Sequence, residues 1–345
     1  MSLCRHRTPL FLCALVGALL FAFLLSMSSG QYDIPMEAVA ASFAHAAGLP
    51  FLPDVVVTPE QEAVLWHIRL PRTLVGMMVG AGLGVSGAVL QGIFSNPLAD
   101  PGIIGVSSGA SVGAVLAIGI GVTAGSVLTL PAFAFTGAIL AVGLTVSLSM
   151  RRGRIPVMTL LLSGVVVGMF LAACTAAILT VMNEQKMQQY LFWTIGGLDY
   201  RRWDHVLLGI GPIGVGMSII VLLARHLNLL AFGEVEARAA GMPVTAFRLL
   251  FLVLAALTTA SGVCISGNIG FVGLVVPHMV RLLIGPDHRR LLPASLLAGA
   301  VFLVLCDSLG RILLHGMEIR VGIMTAFIGT PYFLYLLRRH MKEGG

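Results

Sequence analysis

The sequence predicts an all-α polytopic membrane protein, and three observations carry that expectation. Of its 345 residues 57% are hydrophobic and only 10% charged, with a mean hydropathy of +0.97; a soluble domain carries about 25% charged residues. Apolar runs of the roughly 20 residues that cross a bilayer recur along the chain, with room for about ten. The 41 glycines suit helices packed closely in lipid. No segment alternates polar and apolar residues as an outer-membrane strand does. The same apolar content excludes intrinsic disorder.

The elements follow in order. Arg5, His6 and Arg7 precede an apolar run from Leu10 to Met27. It exceeds the 7–15 residues of a signal-peptide core, so we read it as an uncleaved first helix. From Gln31 to His67 the chain carries Asp33, Glu37, Asp54, Glu60 and Glu62 and no lysine or arginine. This stretch, about 29–68, reads as an external loop with room for a short helix. Apolar segments then recur near 71–94, 102–121, 127–150, 156–182, 205–224, 244–266, 270–284, 291–310 and 319–337. With the first they make ten, one transmembrane domain over 1–345 with both termini on one side. Basic residues concentrate in cytoplasmic loops. Fourteen of the 21 fall on the side of the termini and seven on the other, so the termini are expected to be cytoplasmic. Arg69, Arg72 and Arg311 break that rule at external helix ends.

Several function classes drop out. The formal charge of +6 does not indicate nucleic acid, because the arginines are scattered between apolar runs where topology accounts for them. Cys4, Cys13, Cys174, Cys264 and Cys306 show no CxxC spacing, so neither a metal site nor a disulfide framework is expected. A Walker-type P-loop needs a lysine after glycine. The only lysines, Lys186 and Lys342, lack one, so the chain is not expected to bind ATP that way. An intramembrane enzyme has only His278 as a tempting base, without a suitably spaced partner. A gradient-driven carrier would want a carboxylate at mid-membrane. The best candidate, Asp307, sits four residues before Arg311, the spacing of a local helix pair. His67, His205 and His315 lie near the external face, where interfacial histidines are commoner than haem ligands.

Three local patterns stand out. Gly76, Gly80 and Gly84, then Gly105, Gly109 and Gly113, recur every four residues and predict helix–helix packing stripes; the second and third helices are expected to be central. Asn96-Pro97-Leu98-Ala99-Asp100-Pro101-Gly102 forces a compact turn, either a plain connection or a gate lining a cavity. In the longest cytoplasmic connection, about 226–243, Gly233, Glu234, Glu236, Ala237, Arg238 and Gly241 predict a two-turn helix. The acids suit its first turn, Gly241 its end, and Pro243 stops it. It is either a connector or a docking helix, with small Ala237 and Ala240 allowing close contact.

At this point the residues resemble a known family. Arg69-Leu70-Pro71-Arg72, Ser86–Gly92, the Asn96–Gly102 turn, Gly105–Ala110, Gly267–His278, Asp287-His288-Arg289, Val321-Gly322-Ile323 and Gly329-Thr330-Pro331-Tyr332-Phe333 are similar to the FecCD-type permeases. These are membrane subunits of type II ABC importers for iron–siderophore complexes, haem and vitamin B12. The likeness runs from about residue 65 to the end. It implies a non-enzymatic homodimer of ten-helix subunits in the bacterial cytoplasmic membrane. Two cytoplasmic ATPase subunits, which hold the ATP and magnesium, would bind below. A periplasmic or lipid-anchored binding protein would dock above. It implies that Gly233–Gly241 is the coupling helix, that Asn96 and Leu98 narrow the cytoplasmic gate, and that Arg69, Arg72 and Arg311 meet acids of the binding protein. In one departure Arg320 stands where family members often carry proline; it either adds a docking charge or anchors the last helix.

Overall fold

The computed structural model describes residues 2–48, 55–314 and 316–343. Among them there is no strand, only an isolated bridge between Arg151 and Arg154. Ten principal helices succeed one another: α1 (Ser2–Ser28), α2 (Leu70–Phe94), α3 (Val106–Ile120), α4 (Thr129–Ser149), α5 (Val157–Thr180), α6 (Trp203–Leu222), α7 (Val244–Ser266), α8 (Val272–Ile284), α9 (His288–Ile312) and α10 (Val321–Glu343). Each expected apolar segment is one of these helices. Seven are long and apolar enough to cross a membrane, whereas α3, α8 and the apolar part of α10 are shorter. The 13 residues of α8 rise about 20 Å, less than the ~30 Å hydrocarbon core. An irregular lead-in, 267–271, extends it. That backbone is covered by protein, with Gly196 lying against the Asn268 carbonyl and Gly197 N–H donating to Ser266 at 2.8 Å. Non-helical backbone at membrane depth requires such cover.

The core is built around α2, almost wholly buried and packed against α6, α7, α8 and α9. Its glycine stripe explains the closest approach. A Cβ at Gly80 would strike the Gly299 carbonyl on α9, and one at Gly84 that of Ser295. The two backbones therefore touch, as small residues at this spacing permit. Gly76 meets only the Leu198 and Val304 side chains. On α3, Gly109 and Gly113 likewise face the Gly137 and Phe133 carbonyls of α4. Gly105 differs from its expected role. It precedes α3 with φ of +87°, closing the 3₁₀ turn Pro101–Ile104 in a conformation that glycine alone adopts freely. Nor is α3 central: Leu116 and Ile120 are exposed, because one of its sides has no helix over it.

The stretch expected as an external loop is largely helical. Met36–Ala46 is one helix. Thr58 then forms a reciprocal capping box with Gln61, the arrangement that starts a helix. Pro59–Ala63 runs through a π-helical turn, Val64–Arg69, directly into α2. Around it Met27, Ile34, Val39, Leu65 and Leu70 form a second, small apolar cluster.

Candidate functional site

Charged side chains gather at the two ends of the bundle. At the end where α2 begins, Arg72 donates to Asp307 and to Glu318, both at 2.8 Å, and reaches Asp199 at 3.3 Å. Asp307 also pairs with Arg311 at 3.3 Å, the i,i+4 pair expected from the sequence. Arg311 donates to the Ser29 carbonyl at 2.9 Å and the Ser26 hydroxyl at 2.7 Å. Arg69 donates to the carbonyls of Met27 and Tyr32. Arg69 and Arg311 are each 4% exposed.

This placement corrects the expectation that the three arginines face a docking partner. A buried charge is costly unless paired and hydrogen-bonded, and here the chain supplies those partners from its own residues. Arg69 and Arg311 staple the end of α1 and the turn after it to α2 and α9. Arg72 alone reaches a cavity, and its guanidinium is already engaged by three carboxylates.

That cavity, about 620 Å³, opens beside the staple and is lined by His67, Arg72, Arg201, Arg202, Glu318 and Arg320 among others. Arg202 is exposed. The Arg201 side chain donates to the Gly197 carbonyl at 3.3 Å. Burial pushes its pKa down to about 10, with Asp199 opposing, so it stays charged at neutral pH. Among the described residues neither has a carboxylate within ion-pair distance. The Asp199 carboxyl lies above its ordinary pKa because burial outweighs Arg72 and Arg320. Arg320 fits the anchoring alternative: it donates to the Phe192 carbonyl at 2.9 Å, lies 4.7 Å over that ring, and pairs with Asp199 at 3.6 Å. His67 is exposed on the rim, whereas His205 is buried, accepting the Arg202 N–H at 3.2 Å in the cap of α6. His315 lies outside the described residues.

At the opposite end the segment about 226–243 is two helices, not one. Ala224–Phe232 follows α6, and Glu234–Ala239 follows Gly233. Gly241, at φ of +78°, ends the second in the left-handed region that favours glycine. Glu234 pairs with Arg238 at 2.6 Å and Arg248 at 3.1 Å. Buried Arg248, on α7, also donates to the Ile155 carbonyl at 2.6 Å, just ahead of α5. Burial opposes ionisation of Glu234, but the hydrogen bonds and charges of Arg248 and Arg238 hold its pKa below the ordinary value. Ala237 is buried against the chain's own core, which corrects its expected place in a partner contact. Instead Phe232 and Val235 project, 78% and 75% exposed. Sequence reasoning missed both, because Leu227, Leu229, Leu230 and Met242 share the connection and only packing separates the residues that turn inward from those that project. Asn228 pins the first helix to the start of α9, donating to Asp287 at 2.7 Å and accepting the His288 N–H at 2.8 Å.

Beside this segment the turn after α2 is held by its own side chains. Ser95 takes φ of +48°. Asn96 accepts the Leu98 N–H at 2.9 Å, and Asp100 accepts the Gly102 N–H at 2.7 Å. Asn96 and Leu98 are both exposed. Among the described residues no group of three His, Cys, Asp or Glu side chains is placed to hold a metal.

Known proteins share this architecture. The profile of the FecCD transport family matches residues 6–339. A cobalamin import system permease protein of Halobacterium salinarum is 45% identical over 303 residues, 87% of this chain and 79% of that one. A molybdate import system permease protein of Haemophilus influenzae is 35% identical over 343 residues, covering 98% and 97%. A solved structure described as an inward-facing conformation of a metal-chelate type ABC transporter superposes with a TM-score of 0.84 at 33% identity. That alignment covers 96% of this chain and 99% of the other.

Proposed function

The chain belongs to the FecCD transport family, as a multi-pass membrane permease of ABC-importer type and not an enzyme, and from that premise we propose that it imports a metal chelate. The substrate class is an iron–siderophore complex, haem or cobalamin. Two copies form a homodimer in the bacterial inner membrane, with termini in the cytoplasm and the path along the dimer axis. A separate ATPase supplies energy, and a binding protein delivers substrate to the opposite face.

The observation that carries this reading is the geometry of the 224–243 segment. Phe232 and Val235 project from a platform that Glu234, Arg248 and Asn228 fasten to α7, α9 and the lead-in to α5. Gly233, Glu236, Arg238 and Gly241 shape and flank the short helix that the ATPase would move. A push there reaches the transmembrane helices through short hydrogen bonds, not through a loose loop. Asn96 and Leu98, exposed at the same end, narrow the path in this account. The docking charges are Arg201 and Arg202 at the rim of the opposite cavity. Unpaired cations of this kind orient an acidic partner. A gradient-driven carrier fits less well, because its best carboxylate, Asp307, is already held by Arg72 and Arg311.

The test is transport in vesicles of the chain assembled with its cognate ATPase and binding protein. ATP-dependent uptake of cobalamin, hemin or a ferric siderophore supports the proposal. Uptake of molybdate with none of the three chelates would overturn the substrate class.

A further inference from the structure

Three cavities follow one another along α3, neighbours in the series sharing a lining residue. The first, about 440 Å³, has Gly109, Val112, Gly113 and Leu116 on one wall and α4 on the other, and is almost wholly apolar. The second, about 420 Å³, shares Leu116 and extends past Gly119 to Lys186. The third, about 470 Å³, shares Lys186 and is lined by Thr123, Gln185, Gln188 and Gln189. The series is thus apolar at one end, and at the other carries amides, a hydroxyl and one cation.

Two features identify what fits. Gly109 to Gly119 is ten residues of helix, a rise of about 15 Å, which is half the ~30 Å hydrocarbon thickness. One leaflet's acyl chain matches that length. Lys186 closes the groove and donates to the Gly119 carbonyl at 2.7 Å. An ammonium has three donors, and among the described residues no carboxylate lies within ion-pair distance of this one. Lys186 lines both the apolar second cavity and the polar third, where a lysine can lay its stem along apolar surface and keep its charge at a polar rim. A lysine binds phosphate as a point charge.

We propose that this groove is a binding site for an anionic glycerophospholipid, with one acyl chain along α3 and its phosphate at Lys186. The lipid seals the crevice between α3, α4 and α5. Those three helices meet few others, and Leu116, Leu140 and Leu144 remain exposed along the crevice.

The test is native mass spectrometry of the full chain in neutral detergent, offered equal amounts of phosphatidylglycerol and phosphatidylcholine with identical acyl chains. Phosphatidylglycerol should be retained about fivefold over phosphatidylcholine, the effect of roughly one interfacial cation. Lys186→Gln should abolish the preference and Lys186→Arg keep it. Thr136→Trp, which fills the apolar end, should lower retention of both lipids. Equal retention of the two lipids by the unaltered chain overturns the proposal, as does a preference that survives Lys186→Gln. So does a Thr136→Trp variant that turns dimers into monomers without changing lipid retention, since a second copy would then occupy the groove. If Lys186→Gln fails to fold, the competition on the unaltered chain still decides.

Discussion

Arg72 and Arg202 lie on the same cavity and have opposite jobs. Arg72 is buried and holds Asp307 and Glu318, each at 2.8 Å. Removing one partner of a buried pair leaves an uncompensated charge and costs about 3–5 kcal/mol. Asp307→Asn takes one of three carboxylates from Arg72 and the one ion-pair partner of Arg311 among the described residues, so a destabilisation of up to about that size is expected in denaturant or thermal unfolding of the purified chain. Arg202 is exposed and lacks an ion-pair partner, so Arg202→Glu should shift stability by no more than about 0.5 kcal/mol. It should instead weaken docking of the binding protein, and more so at low salt, where charge is least screened. Unchanged affinity at both salt levels would remove Arg202 from the docking rim. The sequence made Arg69, Arg72 and Arg311 conspicuous as violations of a topology rule. It disclosed the local Asp307–Arg311 pair but not the rest of their purpose, because the other partners lie far along the chain. Asp199, Asp307 and Glu318 answer Arg72, while carbonyls from Met27 to Tyr32 answer Arg69 and Arg311. Long-range pairing of this kind has no local signature.

Helices differ in how openly the sequence declares them. The ten apolar segments were legible because twenty or so apolar residues admit few alternatives. The glycine stripe of α2 was legible too, and the structure ranks its members. At Gly80 an added methyl would meet the Gly299 backbone, which cannot move without separating α2 from α9. At Gly76 it would meet the Leu198 methyl at 3.0 Å, which rotates away. Gly80→Ala is therefore expected to lower the unfolding midpoint, at a cost of about 1–3 kcal/mol. Gly76→Ala should lie near the unaltered protein, and equal midpoints would show that the contact relaxes. Less legible was the 224–243 segment. Its helix breakers were read correctly, but the first helix and the inward face of Ala237 depend on packing against α2, α7 and α9. Acid offers a test of its attachment. The Glu234 carboxyl has a lowered pKa in the fold, so its contribution is present above the unfolded value of about 4.3 and is lost as pH falls through the lowered one. Hydrogen exchange over 234–240, corrected for intrinsic rates, should quicken in that window and stay flat above it. Glu234→Gln should show no such step.

The whole molecule separates its charges from its membrane interior. Arg201, Arg202 and the Arg72 cluster occupy one end, while Glu234, Arg238 and Arg248 occupy the other. Within that first cluster Asp307, the best candidate for a membrane acid, is paired on both sides by Arg72 and Arg311. A carrier worked by protons or sodium needs an ionisable group that loads and unloads within the membrane. This chain presents none among its described residues that is not already paired. In the proposed reading its motion is driven from outside the bilayer, and on the 224–243 segment the bulky apolar side chains that project to receive a push are Phe232 and Val235. In vesicles holding the assembled importer, uptake should require ATP inside and continue when ionophores collapse the proton and sodium gradients. Replacing Phe232 and Val235 with serine should cut that uptake by at least about tenfold, a loss of some 1.4 kcal/mol of coupling contact. Binding of the loaded binding protein to the other face should be unaffected. Uptake that stops with the gradients while ATP remains would mean that Asp307 releases its arginines during transport, and the external-motor reading would fail.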